Sequence, residues 1–352
     1  MGKRLEYIDQ IRGLAIMLVV IGHIIQFNNI QGGMNNIVFN IIYSFHMPLF
    51  FCISGYIGFK TIRIFDFKSY RQHLWKKFIS LLIPLFTWSL LVNQLFFSQH
   101  WNLITINNIT MTILNPGLWF LKTLFEIFFF YGFFAWISSI KNRNNQFWLD
   151  LLIFLLILIL TTCYNILCGN GIFSSLLLYT LFFYLAVFIS KYSIIEKIVM
   201  NQWVFASSFF LFIILTGHWN INGTKYDDIL KIIISSLSFI IFLNITIRLK
   251  WQQFVSRQIM TFGQYSLAIY IIQFYLTHFT VDTHVIIFDN ISPIILFIIC
   301  VVISIPICYL SIGIAKLIEL NNILNFIFLG KRVQYNLRWF GFVIRASQTR
   351  DF

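Results

Sequence analysis

Arg12 and His23 lie eleven residues apart in the run YIDQIRGLAIMLVVIGH, which spans Tyr7 to His23. Their side chains suit different chemistry. An imidazole titrates near pH 6.5 when unperturbed and can take a proton as a general base. A guanidinium suits phosphate, which it holds through two parallel hydrogen bonds. On one helix, eleven residues make three turns plus about 20°, so both side chains leave nearly the same face. The rise between them is about 16 Å, too far for contact. The two therefore read as the ends of a path rather than as a pair. Asp9 precedes Arg12 by three residues and can pair with it on one face. Two readings of that pair stand: a local ion pair with Arg12 snorkelling to lipid headgroups, or an anion-binding group at the inner mouth of a cavity. Ionisable groups in so apolar a run are costly, which marks them as functional candidates. The plainer reading of His23 is a hydrogen-bonded core residue.

Further candidates sit in other apolar runs. In IIYSFHMPLFFCISGYIGF (41–59), His46 is followed by Pro48, which removes a backbone donor and can kink a helix toward a cavity. Ser54 and Gly55 are small enough for close helix packing, and no nucleophile elbow surrounds Ser54. In NPGLWFLKTLFEIFFF (115–130), Lys122 and Glu126 are four apart and can neutralise each other, while Trp119 suits an interfacial belt. In FGQYSLAIYIIQFYLTHF (262–279), Tyr270 and Gln273 need polar partners inside lipid. No P-loop, dinucleotide fingerprint or metal-ligand spacing occurs, and the 5 cysteines form no CxxC.

These residues need a scaffold, and composition says which kind. The 352-residue chain is 59% hydrophobic and 11% charged, against about 25% charged in soluble domains. The expected fold is all-α, a polytopic integral membrane helical bundle forming a single domain over 1–352. Ten apolar segments fall near 8–27, 36–59, 78–98, 118–140, 148–168, 173–190, 201–217, 229–247, 259–280 and 292–315, each near the ~20 residues that span a bilayer. The net charge of +13 does not indicate nucleic acid, because the basic residues are spread between apolar runs as topology determinants. With both termini cytoplasmic, most of the 25 Lys and Arg residues fall inside, in the loop 58–77 and the tail 316–352 above all. Arg12 and Lys122 lie within spans, and Lys225 and Lys231 at an outer end. The 58–77 loop, with Arg63, Arg71, Lys76 and Lys77, is basic and aromatic, so part of it can lie as an interfacial helix. Its charge serves topology and anionic-lipid contact on one reading and ligand binding on the other.

The assembled pattern resembles the acyltransferase-3 family of integral membrane acyltransferases. The matching pieces are YIDQIRGLAIMLVVIGH (7–23), FHMPLFFCISGY (45–56), KKFISLLIP (76–84), NPGLWFLKTLFE (115–126) and FGQYSLAIYIIQ (262–273), in the family's order and spacing. The resemblance implies transfer of an acyl group, most often acetyl, from cytoplasmic acyl-CoA to a hydroxyl of an envelope glycan, lipid-linked or polymeric. It implies the cytoplasmic (inner) membrane of a bacterium and acetyl-CoA as a co-substrate, with no permanently bound cofactor. Arg12 and His23 fall on positions the family treats as essential; the SGY element and Trp119 fall on its motifs. Gln273 departs from the pattern, since many members carry histidine there. On this reading Arg12, Arg63, Arg71, Lys76 and Lys77 hold the CoA phosphates. His23 then takes a proton from the acceptor, by direct transfer or through an acyl-histidine relay. The competing class is a transporter or flippase of a glycan lipid, which also needs many spans and buried charges.

Overall fold

The structure, a computed structural model, describes residues 5–62, 64–90, 117–139, 146–167, 175–223, 225–249, 252–278 and 291–331. Among these residues every regular element is helical. Helix α1 (Glu6–Phe27) is unbroken through Gly13 and Gly22, so the spacing argument for Arg12 and His23 holds. Glu6 and Asp9 in its first turn complement the helix dipole. A tight turn follows, with Asn29, Gln31, Gly32 and Gly33 at positive φ.

Helix α2 (Ile37–Tyr43) starts at Asn36, whose side chain accepts from the Val38 N–H at 2.8 Å. Helix α3 (His46–Thr61) follows after a break at Ser44–Phe45. Pro48 explains the break, because its ring opposes the carbonyl four residues back, that of Ser44. That freed carbonyl accepts from the Ser235 hydroxyl at 2.8 Å.

Helix α4 (Phe67–Lys77) opens on a capping box between Asp66 and Ser69. It runs into π-helical turns at Phe78–Leu82, the short α5 (Ile83–Phe86) and further π turns at 87–90. After it come α6 (Trp119–Ser139), α7 (Gln146–Leu167), α8 (Ser175–Lys191) and α9 (Ser193–Val199). The rest are α10 (Gln202–Thr216), α11 (Lys225–Arg248), α12 (Gln253–Gln264), α13 (Ser266–His278), α14 (Pro293–Glu319) and α15 (Asn322–Leu329).

Six of these segments are long and apolar enough to cross a membrane, and up to eight if each of two bent pairs is one span. The pairs are α8 with α9, bent by 105°, and α12 with α13, bent by 80°. The expected spans at 78–98 and 201–217 make the difference from ten. The first runs past Leu90, outside the described residues, and α10 has only 15 residues. Helices α7, α10 and α14 turn large apolar side chains outward, Leu152, Phe210 and Val302 among them. A soluble protein would hide such surface.

Helix α1 is the hub. It packs against α3, α11, α12, α13 and α14. The expected ninth span, 259–280, is two helices, and its bend at Tyr265 lets both halves embrace α1. Glycine on each partner makes the crossing possible. A Cβ at Gly13 would fall 1.9 Å from the Ile259 carbonyl oxygen, and one at Gly263 would fall 1.9 Å from that of Asp9. Gly55 does the same between α3 and α8, where a Cβ would fall 2.0 Å from the Phe183 carbonyl oxygen. The expectation that this small pair serves packing holds for Gly55.

Candidate active site

At one end of the α1 stripe, Arg12 lies 3.9 Å from Asp9 across one helical turn, the local pair that the spacing predicts. Arg12 also lines a cavity of about 260 Å³ with Lys77 from the end of α4. Ser54 and Met47 from α3, Phe120 and Leu124 from α6, and Tyr270 from α13 form its walls. Lys77 and Arg12 are close enough to repel. Burial, reinforced by Arg12, lowers the Lys77 pKa to about 8. Its ammonium also lies 3.8 Å over the Phe128 ring. Two cations facing one apolar-walled space favour an anion there.

At the other end, His23 meets Gln273. The fully buried Gln273 amide contacts His23 Nδ1, with Oε1 at 3.0 Å and Nε2 at 2.7 Å. The amide also donates to the Tyr270 carbonyl at 3.2 Å. The imidazole packs beside Phe27, with ring centroids 5.0 Å apart, and edge-on to Phe274 at 6.2 Å. When Nδ1–H donates to Oε1, Nε2 keeps its lone pair and can accept a proton. The two ends connect through α13. Tyr270 belongs to the cavity wall, and Gln273 is three residues, nearly one turn, further along.

The remaining candidates divide. His46 is buried and donates Nδ1–H to the Ile42 carbonyl at 2.8 Å, beside the Tyr43 ring. Lys122 and Glu126 pair at 3.9 Å as their spacing predicts. They lie about 180° around α6 from the cavity-lining Phe120, Leu124 and Phe128. Trp119 packs on Tyr179, with centroids 5.2 Å apart. Arg71 and Lys76 line a separate groove, away from Arg12 and Lys77. Arg63 lies outside the described residues.

Sequence reasoning missed a polar network at the Arg12 end. The Tyr56 hydroxyl donates to Glu196 at 2.7 Å and accepts from Lys60 at 2.8 Å. Lys60 and Glu196 are 3.5 Å apart. Asp150 on α7 meets both Lys191 and the Tyr192 hydroxyl, at the α8–α9 bend. A carboxylate inside the apolar run 147–167 was the available signal for the second cluster. No group of three or more metal-ligating side chains occurs among the described residues.

Long apolar helices with outward-facing aliphatic surface, wrapped around a helix with a polar stripe, define a multi-pass membrane protein with an internal site. Residues 5–313 match the family described as acyltransferase domain. The chain therefore belongs to the acyltransferase-3 family. Nodulation protein NolL of Sinorhizobium fredii (strain NBRC 101917 / NGR234) is 37% identical over 87 residues, which is 24% of this chain and 23% of that protein. Nodulation protein NolL of Mesorhizobium japonicum (strain LMG 29417 / CECT 9101 / MAFF 303099) is 38% identical over 87 residues, 24% of this chain and 22% of that protein. The matched stretch thus spans under a quarter of each relative. No solved structure matches the chain.

Proposed function

We propose that the protein transfers an acyl group, acetyl in the simplest case, from cytoplasmic acyl-CoA to a hydroxyl of an envelope glycan. The observation that carries this reading is the pair of mutually repelling cations, Arg12 and Lys77, at a cavity whose wall includes Tyr270. Tyr270 is one turn from the amide that holds His23. At about 260 Å³ the cavity is small beside the ~300–1,000 Å³ of ordinary ligand pockets. It suits an extended pantetheine arm, with the nucleotide left outside. Arg12 and Lys77 then bind donor phosphate, and the arm runs along α1 toward His23.

His23 Nε2 takes the proton of the acceptor hydroxyl as its oxygen attacks the thioester carbonyl. The C–S bond breaks, and the CoA thiolate leaves toward the Arg12 end. Gln273 acts on His23 as a positioning residue, accepting Nδ1–H so that Nε2 faces the reaction unprotonated. The bundle is placed in the cytoplasmic membrane of a bacterium, with ten spans and both termini inside. The spread of Lys and Arg supports this orientation.

Purified, reconstituted protein given labelled acetyl-CoA and a lipid-linked glycan should move label to the glycan. His23→Ala should lose about 10²–10⁴-fold in rate while inserting normally. Movement of the glycan lipid across the membrane without label transfer would replace this reading with that of a flippase.

A further inference from the structure

Helix α4 turns only one face inward. Tyr70, His73 and Lys77 follow i, i+3, i+7 spacing and pack on α6. Tyr70 stacks on Trp136 at 6.3 Å, and His73 meets Phe128 edge-on at 5.7 Å. The opposite face carries Arg71, Trp75 and Lys76. With Phe78 and Phe125 they line an open groove of about 620 Å³. Arg71 and Lys76 are exposed, and neither has a carboxylate within ion-pair distance among the described residues. Trp75 is 58% exposed, its ring stacked parallel on Phe78 with centroids 5.4 Å apart. Exposed Phe65 and Phe67 flank the start of the helix.

A larger cavity, about 710 Å³ between α3, α6, α7 and α8, lacks this imbalance. Its Lys60 already faces Glu196, and its Lys191 already faces Asp150. Among the described residues, positive charge without a facing carboxylate beside exposed aromatic rings is therefore a property of the α4 groove.

We propose that this outer face of α4 is a headgroup site for an anionic phospholipid. Arg71 and Lys76 hold the phosphate, the guanidinium through paired hydrogen bonds. Trp75 and Phe78 lie against the glycerol and the upper acyl chains, where amphipathic rings settle at a membrane interface. Charge complementarity selects the occupant, since basic residues beside a span attract anionic lipid. The donor's phosphates carry the same charge, but the cations facing the internal cavity are Arg12 and Lys77. The lipid site does not depend on the acyl-transfer reading.

The test uses the full chain in detergent, titrated with phosphatidylglycerol or phosphatidylcholine and read by native mass spectrometry. The wild type should retain one phosphatidylglycerol in preference to phosphatidylcholine. Arg71→Gln with Lys76→Gln should weaken that retention about thirtyfold, and Lys77→Gln should leave it unchanged. CoA and 3′-dephospho-CoA form the second arm. If the double variant keeps phosphatidylglycerol as the wild type does, the proposal is overturned. It is equally overturned if CoA displaces the lipid and the double variant loses CoA instead.

Discussion

Replacing Gln273 by leucine isolates what its amide does for His23. Leucine is of similar size but apolar, so the packing of α13 on α1 survives. What disappears is the contact with Nδ1, at 3.0 Å to the amide oxygen and 2.7 Å to the nitrogen. A neutral hydrogen bond contributes about 1 kcal/mol net, equivalent to about fivefold in the population of the tautomer it favours. Gln273 does not line the cavity that holds Arg12. Gln273→Leu should therefore lower kcat about fivefold with the donor KM unchanged. His23→Ala should cost about 10²–10⁴-fold. In the double variant the amide has no imidazole to orient, so its rate should equal that of His23→Ala alone. The assay is transfer of labelled acetyl at saturating donor by the four reconstituted proteins. If the double variant falls a further fivefold or so below His23→Ala, Gln273 acts elsewhere and the reasoning fails.

Three other outcomes follow from the same geometry. CoA binding should weaken above about pH 8, where Lys77 loses its proton, by at most about tenfold per pH unit; Lys77→Arg should abolish that dependence, and a flat wild-type titration would remove Lys77 from the site. Gly13→Ala or Gly263→Ala forces a methyl into a carbonyl oxygen of the facing helix, so thermal unfolding in detergent should show a loss of at least about 1–3 kcal/mol. Burial, with Lys77 and Lys76 adding to it, holds the His73 pKa down at about 4, so the unfolded chain binds the extra proton between about pH 6.5 and 4 and stability falls as pH drops through that window. His73→Leu should flatten that slope, and an unchanged acid profile would show that His73 is not its source.

Features set by neighbours along one helix were legible in the sequence. The Asp9–Arg12 and Lys122–Glu126 pairs are local, and helical periodicity alone brings their side chains together. So was the shared face of Arg12 and His23, because α1 runs unbroken. The partner of His23 was not legible, since Gln273 is 250 residues away and no periodicity links them. Its departure from the family's usual histidine drew attention to the position without revealing the contact. The bend at Tyr265 was hidden for a similar reason: its cause is the backbone crossing of Gly263 on α1, a tertiary event. The division of the basic loop was available and missed. Tyr70, His73 and Lys77 share a helical face that Arg71 and Lys76 do not, and treating the loop as one charged segment erased that distinction.

The 250-residue gap between His23 and Gln273 also has a consequence in time. At about 5–20 residues per second, some 12–50 seconds pass between synthesis of the histidine and synthesis of its amide. For nearly all of that interval α1 waits without the helix that grips it at Gly13, its polar stripe dependent on water, lipid headgroups or the insertion machinery. Helix α1 is thus among the last to acquire its full surroundings, long after its own synthesis. Catalytic competence would arrive as a late event in assembly, after most of the bundle is already in the membrane.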